Sequence, residues 1–116
     1  MSFHKIKSYA KINLMLNITG KDSLLHKIES IIMFTALHDE IFIKTIKSDN
    51  HDISFFGKFS QGIDIKNTVT KLLNILDNKE LLKDKKFRIK INKKIPTKAG
   101  LGGGSMNAAN ILKYLI

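Results

Sequence analysis

The feature that most constrains this chain is a glycine-rich stretch close to its C-terminal end. Residues 94–109 read KIPTKAGLGGGSMNAA and contain four of the seven glycines and the only proline of the 116-residue sequence. Glycine lets the backbone adopt positive φ and approach a bound group without an intervening Cβ. The stretch is therefore predicted to be a loop that contacts a ligand, although a tight connection between two regular elements is the alternative.

A helix is predicted behind this loop and a strand in front of it. Residues 105–115 place apolar side chains on one helical face at the spacing i, i+3, i+4 and i+7, namely Ala108, Ile111, Leu112 and Leu115. Residues 86–93 alternate as a half-buried strand whose inward side chains are Phe87, Ile89 and Ile91. The free N–H groups and the partial charge of roughly +0.5 at the start of such a helix favour an anion such as a phosphate.

Two widespread phosphate-binding motifs do not fit the sequence. A P-loop needs G-x-x-x-x-G-K-[ST], but the pair Gly57 and Gly62 is followed by isoleucine and aspartate. The dinucleotide pattern G-x-G-x-x-G, started at Gly100, meets Ser105 in place of its third glycine. The glycine-rich stretch is therefore a different kind of loop.

The remaining sequence predicts a single α+β domain. Strands are predicted at residues 3–9, 12–18, 25–37, 41–46 and 52–56, with the last two expected to pair across a turn. A turn is predicted at residues 38–40 and a loop at 57–62. Asn67 is a predicted N-cap of a helix that reaches Leu76 or Leu82, with a buried stripe of Val69, Leu72, Leu73 and Leu76. Strands and helices in this order, without repeats, are typical of one α+β unit.

Charge and composition limit the kinds of partner and the cellular location expected for this protein. The formal net charge is +10, which by itself would suit a nucleic-acid partner, but Arg88 is the only arginine among twenty basic residues and the lysines are scattered. Without cysteine there is no disulfide framework, and no apolar run approaches the roughly 18 residues of a membrane helix. We expect a cytoplasmic protein with no membrane partner, and nucleic-acid binding stays the less favoured alternative.

The glycine-rich stretch resembles the nucleotide loop of the GHMP kinases. In this chain, a proline is followed after three residues by Gly-Leu-Gly-Gly-Gly-Ser-x-Asn-Ala-Ala. This form of the motif resembles that of one branch of the family. The substrate of that branch is a small alcohol with a cytidine diphosphate group, and the branch acts in isoprenoid biosynthesis. This resemblance implies a ribosomal protein S5 domain 2-like α+β fold, with ATP and Mg²⁺ as cofactors. It assigns ATP binding to Pro96, Thr97, Lys98, Ala99, Gly100, Leu101, Gly102, Gly103, Gly104, Ser105 and Met106, and a Mg²⁺ contact to Ser105.

The resemblance extends to the N-terminal part of the chain, where Ala10-Lys11-Ile12-Asn13-Leu14 is similar to the family's first motif. It implies that Lys11 is a catalytic residue that stabilises charge at the substrate hydroxyl, which suits phosphoryl transfer. It also implies substrate binding by Asn13 and His26. The alternatives are a solvated lysine at the end of a strand and an asparagine that satisfies a strand edge. The remaining histidines, His4, His38 and His51, are predicted to be surface or turn residues.

Three departures from the family pattern affect the expected function. Leu25 replaces the tyrosine that stacks on cytosine, and Met106 replaces a second hydroxyl residue. The aspartate general base of the family lies in a Gly-Ala-Asp motif that this sequence does not contain. We therefore expect residues 1–116 to be a truncated N-terminal ATP-binding domain, incomplete in fold and inactive alone, as a decayed gene product or one half of a split enzyme with a separate C-terminal partner. A non-catalytic nucleotide- or RNA-binding module is the alternative.

Overall fold

A computed structural model describes residues 2–10, 36–61, 67–95 and 103–116, and the side chains of residues 103–105 are not part of this description. The elements along these ranges are β1 (His4–Tyr9), β2 (His38–Ile46), β3 (Asp52–Phe56), α1 (Thr68–Asn78), β4 (Lys86–Asn92) and α2 (Gly103–Leu115). The predicted α+β class is confirmed. The predicted strands at residues 12–18 and, for the most part, 25–37 lie outside the described ranges.

The described strands form one mixed sheet in the order β1-β2-β4-β3. β2 is antiparallel to both β1 and β4, whereas β3 is parallel to β4. The predicted pairing of residues 41–46 with residues 52–56 is therefore wrong, because β4 lies between these two strands. The parallel pair is possible because α1 forms the long crossover that parallel neighbours need.

The core lies between one face of this sheet and the two helices. Alternation along β2 and β4 buries Ile41, Ile43, Ile89 and Ile91, as period-2 patterning predicts. α1 adds Val69, Leu73 and Leu76, and α2 adds Ile111 to the same apolar cluster. Within the described parts of the chain, this cluster is what fixes α2 above the sheet.

α1 begins and ends at well-defined caps. The side chain of Asn67 accepts a hydrogen bond of 3.0 Å from the backbone N–H of Thr70, which confirms the predicted N-cap. At the other end Glu80 adopts φ of 56°, and the N–H of Leu81 bonds to the carbonyl of Leu76. This 6→1 bond with a left-handed residue is a Schellman motif, and it ends the helix before Leu82.

Three predictions about individual positions are wrong. Residues 38–40 are not a turn but the start of β2, where Glu40 pairs with Lys7. Leu112 is 37% exposed, and the polar Asn107 takes a buried position on α2 instead. His51 is a half-buried bridge and not a freely exposed residue: its side chain is 8% exposed, its Nε2 lies 2.9 Å from Asp77 and its Nδ1 accepts the N–H of Phe87.

Among the residues that the model describes, no helix is long and apolar enough to cross a membrane.

Candidate functional site

The candidate site lies where β4 leaves the sheet and α2 begins. β4 ends at Asn92, and residues 93–95 continue from it towards the glycine-rich loop. α2 starts at Gly103, two residues before the predicted start, so two glycines belong to its first helical turn. The N–H groups of a first turn have no intrahelical acceptors, and two glycines there leave the backbone open to a close approach by an anion.

A buried carboxylate connects the two sides of this loop. Asp39, at the start of β2, is fully buried, and its Oδ1 accepts the backbone N–H groups of Lys94 at 2.7 Å and Ile95 at 2.9 Å. Its Oδ2 accepts Lys93 Nζ at 2.5 Å and Asn107 Nδ2 at 2.9 Å. We call Asp39, Lys93, Asn107 and the two backbone amides the Asp39 cluster.

The charges of the Asp39 cluster balance each other. The side chain of Lys93 is 4% exposed and that of Asp39 is 0% exposed, so the ion pair is shielded from water. A buried charge is tolerated only when it is paired and hydrogen-bonded, and four donors meet this requirement for the carboxylate. Because its ammonium is committed to Asp39, Lys93 is not a free cation for a ligand.

Asn107 holds the helix side of the cluster in one orientation. Its Nδ2 must face the Asp39 carboxylate, because a flipped amide would place oxygen against oxygen. Its Oδ1 is the buried side-chain polar atom that, among the described residues, has no hydrogen-bond partner. A second polar contact, from Asn110 Nδ2 to the buried hydroxyl of Ser8 at 3.0 Å, ties the same helix to β1.

A tight turn after β3 supports Lys93 from its other side. Gly57 adopts φ of +99°. A Cβ at this position would lie 3.1 Å from both the backbone N and the backbone O of Lys93, and it would collide with the side-chain amide oxygen of Asn92. The N–H of Lys93 donates to the carbonyl of Phe56 at 2.7 Å, and its carbonyl accepts from Phe59. The turn therefore needs glycine at position 57 to hold the backbone that precedes the loop.

A half-buried carboxylate, that of Glu40, lies beside the buried cluster. The Glu40 carboxylate contacts Lys5 and Lys94 and accepts a hydrogen bond from Asn92 Nδ2 at 2.9 Å. The hydrogen bond with Lys5, followed by that with Asn92, lowers the pKa of Glu40 from 4.5 to about 2, against a smaller opposing effect of burial. Glu40 thus stays ionised and neutralises one of the two consecutive lysines at the loop entrance.

Most of the predicted site residues lie outside the described ranges. This applies to Lys11, Asn13 and His26 and to residues 96–102 of the loop. Gly103, Gly104 and Ser105 are placed in the first turn of α2, and Met106 follows them as a half-buried residue. Their assigned roles in ATP, Mg²⁺ and substrate binding therefore stay predictions.

The sequence interpretation missed the Asp39 cluster, although signals for it are present. Asp39 shares strand parity with Ile41 and Ile43, so extending the alternation backwards would have predicted an inward carboxylate. Asn107 precedes Ile111 by four residues and so shares its buried helical face. Lys93 shares strand parity with Ile89 and Ile91, so continuing the alternation past the end of β4 would have predicted an inward ammonium as well.

Comparison with known proteins agrees with this geometry. The profile of the GHMP kinases N terminal domain matches residues 67–116, which include α1, β4, the loop and α2. The whole chain is 60% identical to the 4-diphosphocytidyl-2-C-methyl-D-erythritol kinase of Pelagibacter ubique and covers 41% of that protein. It is 36% identical to the enzyme of the same name from Ureaplasma parvum, with 97% of the chain and 43% of that protein aligned.

The resemblance of the chain to the GHMP kinase family is confirmed by the match of residues 67–116 and by the 60% identity to one of its kinases. A third relative of the same name, 4-diphosphocytidyl-2-C-methyl-D-erythritol kinase, is that of Thermosipho melanesiensis at 39% identity. The chain spans about two fifths of the length of these relatives.

Proposed function

We propose that this chain is the N-terminal, ATP-binding domain of a 4-diphosphocytidyl-2-C-methyl-D-erythritol kinase, acting in the cytoplasm in isoprenoid biosynthesis. The observation that carries the proposal is the order of β4, the glycine-rich loop and α2, in a chain that is 60% identical to such a kinase. A ribosomal protein S5 domain 2-like fold is part of this proposal. The relatives give no support to the alternative of an RNA-binding module.

The loop and the start of α2 are proposed to hold the nucleotide phosphates. MgATP, when bound, supplies the phosphoryl group that is transferred. The first turn of α2, with Gly103 and Gly104, offers backbone N–H groups, and the partial charge at a helix N-terminus favours phosphate oxygens. Ser105 is the residue of this turn proposed to contact Mg²⁺, whereas the side chain of Met106 contains no oxygen ligand.

The acceptor side of the reaction is proposed to involve the N-terminal part of the chain. Lys11 would lie beside the alcohol and stabilise its developing negative charge, while Asn13 and His26 would contact the substrate. Phosphoryl transfer gains mainly from such positioning and from electrostatic stabilisation, so a lysine is a suitable group. With Leu25 in place of an aromatic ring, the cytosine would lose a stacking contact, which is worth roughly 1–3 kcal/mol for bases on aromatic side chains elsewhere.

Calorimetric titration with MgATP tests the nucleotide site. We expect the 116-residue chain to bind with millimolar affinity, and Gly102→Val to abolish this binding because a branched side chain enters the space of the phosphates. Ser54→Val, on the exposed side of β3, is the matched control and should bind as the wild type does. Equal binding by Gly102→Val would contradict the loop assignment.

The same protein separates the nucleotide site from the nucleic-acid alternative. Affinity for RNA or DNA should fall steeply between low and moderate salt, because binding releases condensed counterions. MgATP binding should not follow that slope. Tight, strongly salt-dependent binding of an oligonucleotide without measurable MgATP binding would favour the alternative.

A further inference from the structure

One carboxylate, that of Asp39, contacts both sides of the glycine-rich loop. On the entry side its Oδ1 accepts the backbone N–H groups of Lys94 and Ile95, directly before the loop. On the exit side its Oδ2 accepts Nδ2 of Asn107, in the second turn of α2. Asp39 itself belongs to β2, which is not adjacent to the loop in sequence.

We propose that Asp39 is a positioning residue for the nucleotide site, which fixes the separation between the entry and the exit of the glycine-rich loop. This inference rests on the proposed function, because it assigns Asp39 a role towards the nucleotide that the loop would bind. Binding by several backbone N–H groups depends on their mutual placement, and an error of about 1 Å can cost roughly a hundredfold in an enzyme site. A single acceptor shared by both ends keeps that placement constant.

The contacts of Asp39 differ from those of an ordinary core anchor. The pair Ser8 and Asn110 joins β1 to α2 through two side chains and involves no backbone N–H group. Asp39 instead binds the main chain of the loop entrance itself, so that movement of Lys94 or Ile95 would break a charge-assisted hydrogen bond. Burial strengthens this restraint, because water cannot replace a lost donor.

Oδ1 of Asp39 binds the entry side of the loop and Oδ2 binds its exit side, so a substitution that changes only one oxygen can separate the two contacts. In Asp39→Asn the remaining oxygen can still accept Lys94 and Ile95, but the new amide group faces two donors, Lys93 Nζ and Asn107 Nδ2. The entry side keeps its two backbone hydrogen bonds but loses the ion pair of Lys93, and the exit side is disconnected. Adding Asn107→Asp exchanges the two side chains, so that position 39 donates and position 107 accepts, with the net charge restored.

The experiment measures MgATP affinity by calorimetry and amide exchange of Lys94 and Ile95 in the 116-residue chain. We expect Asp39→Asn to weaken MgATP binding about tenfold, because the exit side of the loop loses its hydrogen bond from Asn107 to a charged oxygen. The exchange Asp39→Asn with Asn107→Asp should recover most of this loss. His51→Ala is the control, because it removes a half-buried polar bridge at Phe87, the opposite end of β4, and should lower stability without changing affinity.

The possible outcomes are distinguishable. A wild-type chain that does not bind MgATP would overturn the proposed function and this inference with it. An Asp39→Asn chain that binds MgATP as tightly as the wild type would overturn the positioning role alone. If Asp39→Asn does not fold, Asn107→Ala removes only one of the four donors. Weakened MgATP binding with Lys94 and Ile95 still protected then supports the inference, whereas unchanged binding contradicts it.

Discussion

The Glu40 carboxylate lies 2.7 Å from the ammonium nitrogen of Lys5, across the β1–β2 pair. This contact, with the hydrogen bond from Asn92, lowers the pKa of Glu40 from 4.5 to about 2. Because the folded state binds this proton less readily than the unfolded chain, the stabilisation is complete above pH 4.5 and is lost as the pH falls towards 2.

The pH dependence can be measured with Glu40→Gln. We expect this variant to be less stable than the wild type near neutral pH, and the difference in unfolding midpoint to shrink as the pH is lowered through that window. Urea titrations at a series of pH values would measure it. A constant difference between the two proteins at every pH would show that the ion pair is not the cause.

Removing the imidazole of His51 should destabilise the fold. In His51→Ala the Phe87 N–H loses its acceptor and Asp77 loses its closest partner, so we expect a cost of about 1–3 kcal/mol. The control is Lys71→Ala, an exposed position on α1, for which we expect a change within about 0.5 kcal/mol. Chemical denaturation would compare them, and equal effects of the two substitutions would contradict the bridging role.

A glycine at position 80 should stabilise the protein. Glu80 ends α1 with φ of 56°, a conformation that costs an L-residue about 1–2 kcal/mol and glycine almost nothing. After the added entropy of glycine in the unfolded chain, we expect Glu80→Gly to gain about 0.5–1 kcal/mol. Lys79→Gly is the control, since its φ of −89° gives glycine no advantage and the variant should lose stability. A thermal melt in which both variants shift alike would argue against this cap geometry.

The 116-residue chain by itself should not phosphorylate 4-diphosphocytidyl-2-C-methyl-D-erythritol. The sequence contains no Gly-Ala-Asp motif to provide the family's general base, and loss of a positioned base typically costs roughly 10²–10⁴-fold. A coupled ADP-release assay with the purified chain would measure this. ATP-dependent turnover that disappears in Lys11→Ala would show that the chain is catalytic without that motif.

The sequence predicted individual elements better than their arrangement. Alternation at Phe87, Ile89 and Ile91 identifies β4 and its inward face, because the side-chain period depends on local geometry alone. Strand partners depend on connections across the chain, and a strand pattern carries no information about which neighbour it meets. This is why the central place of β4 was not predicted.

Polar residues were the other source of error. Asp39 was assigned to a turn because aspartate is common in turns, and this preference outweighed its place in the alternation of β2. His51 was predicted to be a surface or turn residue because its sequence position shows no metal-ligand spacing. Asp39 is buried and His51 is half-buried because they find partners far along the chain, such as Lys93 and Asp77, and such pairing depends on the complete fold.

The central position of β4 has a consequence for synthesis in the cell. β2 and β3 are synthesised well before β4. Among the described strands, the edges of β2 and β3 that pair with β4 cannot form these hydrogen bonds until β4 is complete at residue 92. Closing pairs that are distant in sequence is slow, and an unfilled strand edge is a template for other chains. Among the described strands, the edges of β2 and β3 that β4 will pair with therefore stay without this partner while α1 and β4 are translated.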